Sequence, residues 1–296
     1  MKHSIGLDIG GTKIHGILFR EDGKILKQDT KPSIADKSSD EIISNISLVV
    51  DSLLSGFDKK KLSGIGIGCA GVTDMDGKFL FNPNLPALKG KNLKAILSKK
   101  YRIKTAQEND ANCFAIAEYF FGAGKSERNM IGLIIGTGIG GGIILSGNLY
   151  KGSNGFSGEF GHSVIQPDGP KCNCGLRGDF ESLCSGPSIM KRYYSLGGKI
   201  KDANPSKIFS SKEPIAKKTV SETIKFFGIG ISHIVNALDI ELIVLGGGVS
   251  NIDFYSEINK SVKKYSNEAV RKNVRVVKNK LGDSSGAIGA AIIGMK

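Results

Sequence analysis

The chain has 296 residues, a formal net charge of +13 and 40 glycines. That length accommodates two domains with full cores. Glycine runs at about twice its usual ~7% share, but in clusters after apolar runs, which excludes a low-complexity segment. The lysines are scattered, with small clusters at 59–61 and 260–280 and no interleaved aromatic rings. Specific nucleic-acid binding is therefore not expected, whereas a basic surface that draws anionic nucleotides is. Lys2 and His3 precede a strand pattern instead of a long apolar stretch, so no secretory leader is expected. The uncharged stretch 130–147 is cut by glycines into two short strands, so it is no membrane span. A soluble, cytoplasmic protein without a membrane partner is the expectation.

Residues 5–30 read as a strand, a glycine-rich turn, a returning strand and a third strand. Residues 39–55 have helical apolar spacing, with Ser39 as the cap. Ile65–Gly68 is a short strand that ends at Cys69-Ala70-Gly71. Residues 82–86, Asn-Pro-Asn-Leu-Pro, form a loop. Ala111–Phe121 is a helix with Asn109-Asp110 at its mouth. Ile131–Leu145 then repeats the first hairpin: Ile5, Gly6, Leu7, Ile9, Gly10, Gly16 and Ile17 recur as Ile131, Gly132, Leu133, Ile135, Gly136, Gly142 and Ile143. Residues 152–181 are irregular, and 186–236 are mainly helical with a looser stretch at 201–214. Leu242–Leu245 is a buried strand that runs into Gly246-Gly247-Gly248. A helix around 254–270 and a strand at 274–277 follow. Residues 284–294, all small or apolar, suit a helix that packs closely on another element.

This alternation is an α/β pattern. It predicts two domains, 1–109 (joined by the terminal segment 284–296) and 110–283. Glycine in a turn lets backbone N–H groups approach an anion with no Cβ in the way. Two such hairpins predict two similar domains facing one polyphosphate. A dinucleotide fingerprint at Gly136-Thr137-Gly138 is excluded, because that motif opens a helix and this one continues as strand.

Four polar groups carry the chemistry. Asp8 ends the first strand beside Gly10-Gly11-Thr12-Lys13, and an acid beside a phosphate turn implies an intervening cation such as Mg²⁺. Asp110 suits either a helix cap or a general base for a hydroxyl, and the residues alone leave both open. Glu159 and His162 share a glycine-rich loop, and Glu181 follows. Cys172-Asn173-Cys174-Gly175 resembles a metal knuckle: two thiolates one residue apart suit tetrahedral zinc. His162 is a third ligand and Asp179, Cys184 or water a fourth, with a plain pair of reduced thiols as the alternative. The five cysteines form no secreted disulfide framework, and Cys69 and Cys113 read as core.

Taken in order, these motifs resemble the ROK family (repressors, open reading frames and sugar kinases) over nearly the whole chain. The resemblance implies the two-domain actin-like ATPase fold, hexokinase and ribonuclease H-like, with a sugar-nucleotide cleft between the domains. It implies that Gly10, Gly11, Thr12, Lys13, Gly136, Thr137 and Gly138 hold the ATP phosphates, Asp8 the Mg²⁺ side, and Gly246 and Gly247 the adenosine. It implies sugar contacts from Gly71, Asn84, Asn109, Asp110, Glu159, His162 and Glu181, with Asp110 as the catalytic base for the 6-hydroxyl. The family's zinc segment usually reads Cys-x-Cys-Gly-x-x-Gly-Cys-x-Glu, and here Asp179 replaces the third cysteine. A zinc site of His162, Cys172, Cys174 and Asp179 follows, weaker than one with a third thiolate. The implied activity is transfer of the γ-phosphate of MgATP to a hexose, with glucose first and N-acetylglucosamine, N-acetylmannosamine or fructose as alternatives. A homodimer or monomer is expected. Repressor members carry a DNA-binding segment ahead of the first turn, and a sensor without catalysis would need no base; neither reading is favoured.

Overall fold

A computed structural model of the chain describes every residue except 75. The chain divides into two compact units, residues 1–117 with 283–296, and residues 118–282. The division falls inside the helix that begins at Asp110, eight residues beyond the mouth where the sequence placed it.

The first unit is built on β1 (His3–Ile9), β2 (Lys13–Arg20), β3 (Ile25–Pro32), β4 (Leu62–Cys69), a small hairpin of β5 (Val72–Thr73) and β6 (Phe79–Phe81), and β7 (Thr105–Glu108). Its helices are α1 (Ser39–Leu54), α2 (Leu93–Tyr101), α3 (Asp110–Phe121, shared across the division) and the C-terminal helix, Ser285–Gly294. The main sheet has the order β3-β2-β1-β4-β7, with β1, β4 and β7 parallel. A β-strand alternates faces, and β1 uses both. Ile5, Leu7 and Ile9 join the core with Ile46, Val49 and Val50 of α1. Gly6, on the other face, lies against Ala287 and Ala291 of the C-terminal helix, and Gly66 of β4 against Ala290. The small residues at 284–294 thus serve as expected: they let a helix lie directly on the sheet. The cap of α1 is Ser38, one residue earlier than the sequence suggested. Glu41 N–H donates to Ser38 Oγ at 3.3 Å while Ser38 N–H donates back to Glu41 Oε2 at 3.1 Å, a reciprocal capping box.

The second unit repeats the plan with β8 (Met130–Ile135), β9 (Ile139–Leu145), β10 (Asn148–Tyr150), β11 (Leu242–Gly246) and β12 (Arg275–Lys278), in the order β10-β9-β8-β11-β12. Here β8, β11 and β12 are parallel, like β1, β4 and β7. Helices α4 (Phe180–Cys184), α5 (Gly186–Ser195), α6 (Pro205–Ser210), α7 (Pro214–Leu238) and α8 (Tyr255–Tyr265) complete it. The looser stretch expected at 201–214 contains α6, and the helix expected to reach 270 stops at Tyr265. Glu118, fully buried, accepts N–H groups of Ala123, Lys280 and Leu281 at 2.9–3.0 Å, so its charge is met by backbone dipoles.

The duplication is real, but the overlay of the returning strands is corrected by one residue. Ile9 pairs with Ile14 across four turn residues, and Ile135 pairs with Ile139 across three. Gly16, opposite Leu7, therefore corresponds to Gly141, opposite Leu133, and not to Gly142. Both glycines are closely covered, Gly16 by Val49 of α1 and Gly141 by Gly158 and Phe160.

Candidate functional site

In open parallel sheets, ligands gather at the carboxyl ends of the strands. In the first unit the ends of β1, β4 and β7 present Gly10, Ala70-Gly71 and Asn109-Asp110 at one edge. Register aligns Asp8, Gly68 and Glu108 across the three strands. The first turn is closed by Gly10 N–H to Lys13 O at 3.0 Å. It is pinned from outside by Ser33, whose Oγ donates to Gly10 O and whose N–H donates to Thr12 O. Lys13 Nζ reaches Asp283 Oδ2 at 3.5 Å.

Asp8 sits half-buried at this edge. Burial, then the Asp110 carboxylate and, less strongly, Asp283 push its pKa up to about 7, against the pull of Lys13. A carboxylate so disfavoured as an anion is a ready partner for a cation. The capping question at α3 resolves onto Asn109: its Oδ1 accepts Ala111 N–H at 2.8 Å and Asn112 N–H at 3.4 Å. Asp110 is the first helical residue, with Oδ1 3.0 Å from Ala111 N. Gly71 has φ +117°, and a Cβ there would stand 2.5 Å from Phe81 O, so only glycine fits. Asn84 lies beside the β1–β2 turn: a Cβ on Gly11 would be 3.2 Å from Asn84 Cβ.

The second unit has the same edge. Gly136 N–H donates to Gly138 O at 3.0 Å, and Gly136 O accepts from Gly186 N–H, at the start of α5, at 2.9 Å. Thr137 lies between them at the tip. Gly246 ends β11, and Gly247 follows with φ +81°, pressed on Ile135 of β8. Glu181 Oε2 accepts Ile139 N–H at 2.8 Å, which ties α4 to the β8–β9 hairpin. A Cβ on Gly138 would meet that same oxygen at 2.5 Å, so a side chain there would displace the Glu181 carboxylate.

The metal-ligand set expected from sequence converges. One ligand atom from each of His162, Cys172, Cys174 and Asp179 lies within 4.8 Å of the others. His162 Nδ1 is 3.2 Å from Asp179 Oδ2 and 3.9 Å from Cys172 Sγ, and Cys174 Sγ is 3.4 Å from Asp179 Oδ2. Four ligands of a tetrahedral zinc, each about 2.0–2.3 Å from it, stand roughly 3.3–3.8 Å apart, so the donors fit. Cys184 is buried elsewhere, with Sγ 4.0 Å from Thr223 O. Asp179 is fully buried. Burial alone would raise it, but hydrogen bonds from Cys172, Ser182 and His162 outweigh burial and hold it below the usual carboxylate range. Burial and then the Asp179 carboxylate push the Cys172 thiol up to about 12; a coordinated cation reverses that preference. Asp179 Oδ1 also accepts Ser182 N–H at 2.7 Å as the cap of α4. Glu159 is exposed, with Oε2 3.9 Å from His162 Nε2.

Sequence reasoning missed Ser33, Asn82 and Asp283. Asn82 alone had a local signal, an Asn ahead of Pro-Asn. Ser33 and Asp283 reach their partners only through the fold.

The chain is 32% identical to the glucokinase of Thermotoga maritima, over 98% of this chain and 96% of that one. It is 34% identical to the N-acetyl-D-glucosamine kinase of Vibrio cholerae, over 98% and 99%. Its structure matches that of a ROK family glucokinase from Streptomyces griseus, solved in complex with glucose and AMPPNP, with a TM-score of 0.83 and 29% identity over 99% of each chain. With that match comes the α/β actin-like ATPase fold expected from the motifs. The sequence pattern of the ROK family covers residues 4–296, and the chain belongs to that family.

Proposed function

We propose that this protein is an ATP-dependent hexose kinase that transfers the γ-phosphate of MgATP to a sugar 6-hydroxyl. The observation that carries the reading is the edge of the first sheet, where the Asp110 carboxylate and the glycine turn beside Asp8 stand close enough for the two acids to influence each other's charge. A base for a hydroxyl beside a phosphate cradle is what phosphoryl transfer needs. Its transition state is loose, so most of the catalysis is positioning and charge neutralisation.

The backbone of Gly10, Gly11 and Thr12 and that of Gly136, Thr137 and Gly138 cradle phosphate oxygens, with Lys13 adding positive charge. Gly246 and Gly247 face the adenosine. Asp8 would hold the Mg²⁺ side, where the ion would supply neutralisation of phosphate charge. Asn84, Asn109, Glu159, His162 and Glu181 hydrogen-bond sugar hydroxyls, Gly71 forms the wall, and Asp110 takes the 6-hydroxyl proton. Glu181 accepts from Ile139 N–H through Oε2, and Oε1, 3.8 Å from Cys172 Sγ, is the oxygen we assign to the sugar. A zinc held by His162 Nδ1, Cys172, Cys174 and Asp179 would supply rigidity and would leave His162 Nε2 for substrate. Glucose is the first choice of acceptor and N-acetylglucosamine the second, in line with the names of the relatives. The cytoplasm, where ATP is available, is the place we assign.

The test is ADP release from MgATP with glucose, N-acetylglucosamine, N-acetylmannosamine, mannose and fructose offered separately. One preferred sugar is expected. Asp110→Asn should keep fold and sugar binding and lose turnover by roughly 10²–10⁴-fold, the usual worth of a general base. Near-normal turnover in that variant removes Asp110 from the role. No ADP with any sugar removes the kinase reading.

A further inference from the structure

Asn82 belongs to none of the groups assigned above, yet its side chain is 1% exposed and fully engaged. Its Oδ1 accepts the backbone N–H of Asn84 at 3.0 Å and of Leu85 at 2.8 Å. Its Nδ2 donates to the carbonyl of Ala70 at 2.9 Å and reaches Cys69 Sγ at 3.4 Å. One amide therefore joins the end of β4 to the loop that follows β6. No other short side chain offers two acceptor and two donor positions at one tip. Leucine would leave four groups unmet, and aspartate would turn a carboxylate toward a carbonyl.

The two joined segments are those that carry Gly71 and Asn84. Gly71 follows Ala70 directly, and its α-carbon is packed so closely that an added Cβ would stand 3.1 Å from Asn82 Cα. Asn84 in turn rests on the phosphate turn at Gly11. The spacing between wall, sugar-facing amide and phosphate turn is thus fixed from behind by a buried residue.

We propose that Asn82 is a positioning residue: it sets Gly71 and Asn84 at their working separation before substrate arrives, and sugar affinity depends on its amide. The proposal rests on the reading of Gly71 and Asn84 as sugar-facing. A loop ordered in advance loses less freedom on binding, and a displacement of about 1 Å in a positioning group costs on the order of 10²-fold.

The experiment compares wild-type protein with Asn82→Ala and Asn82→Asp. Calorimetric titration gives the Kd for the preferred sugar without nucleotide, and steady-state assays give KM for sugar and for MgATP. Asn82→Ala should raise the sugar Kd and KM by about 10- to 100-fold and move the MgATP KM by less than about twofold. Asn82→Asp keeps the acceptors for Asn84 and Leu85 but not the donor to Ala70, and should fall between. Unchanged sugar affinity in folded Asn82→Ala overturns the proposal, and so does an equal loss for sugar and nucleotide, which marks general support of the fold. A second arm needs no variant. Hydrogen exchange of sugar-free wild-type protein should show the amides of Asn84 and Leu85 protected by about tenfold or more over free chain; unprotected exchange overturns the proposal. Failure of the sugar reading itself looks different. Wild-type protein then binds none of the sugars while both amides stay protected, and that result overturns the two readings together.

Discussion

Asp8 carries a cost in the absence of a cation. Its pKa is raised to about 7 by burial first and the Asp110 charge second. The folded state thus binds a proton more tightly than the unfolded chain, whose aspartates titrate near 4. Stability is highest where Asp8 is protonated in both states, falls as pH rises from about 4 to about 7, and stays low above. Each tenfold in proton affinity is worth about 1.4 kcal/mol. With allowance for partial solvent access, the loss at pH 8 is on the order of 2–4 kcal/mol. Asp8→Asn should therefore stabilise metal-free protein at pH 8 by that order, with little gain at pH 4, while it lowers turnover. Denaturant unfolding at the two pH values checks this, and equal effects at both would refute it. The residues legible in the sequence were those whose chemistry is local: glycines where a Cβ would collide, and the metal knuckle. Ser33 and Asp283 were not, because a serine or an aspartate gains its meaning from a partner elsewhere. Asp283 meets Lys13 across 270 residues of chain.

At the scale of elements, the C-terminal helix shows what small residues accomplish. Its Ala290 carbonyl lies so near Gly66 of β4 that a Cβ there has no room, and Gly289 lies as closely on the backbone of Cys113 in α3. Backbone cannot yield as a flexible side chain can. Gly66→Ala should cost about 1–3 kcal/mol or more as overpacking, read as a lower urea midpoint at unchanged slope. A midpoint within error of wild type would show that the helix slides freely on the sheet. The composition of 284–294 made this packing legible. The hairpin overlay was legible only up to the turn, because a deletion of one residue there preserves the glycine pattern while it shifts every later pair. Two elements left almost no signal. β7 reads Thr-Ala-Gln-Glu, short and polar, and α2 is rich in lysine with a weak apolar stripe of Leu93, Leu97 and Tyr101. Each is specified by the neighbour it packs on and not by its own pattern.

For the whole molecule, the two units share a strand plan but not a source of rigidity. The first draws its order from a sheet covered by α1 and the C-terminal helix. The second has a long irregular segment, 151–179, whose only regular element is the short turn Phe160–His162. Its ligand groups, from His162, Cys172, Cys174 and Asp179, lie within 4.8 Å of one another. Asp179 links that segment onward, since Oδ2 faces His162 and Cys174 while Oδ1 caps α4. From α4, Glu181 reaches the β8–β9 hairpin at Ile139. A bound zinc would therefore order a path that ends at the β8–β9 turn, whereas the first unit contributes no ligand to the set. Structural zinc is worth far more than any one hydrogen bond, though a carboxylate in place of a thiolate lowers that worth. Removal of metal by a strong chelator, with metal content assayed before and after, should raise amide exchange about tenfold or more across 172–182 and at Ile139. Amides of β1, β4 and β7 should not change. A uniform rise over both sheets would mean that the metal supports the molecule globally. No rise, in protein shown to have lost its zinc, would mean that Asp179 holds α4 without help and that the knuckle is an ornament of the fold.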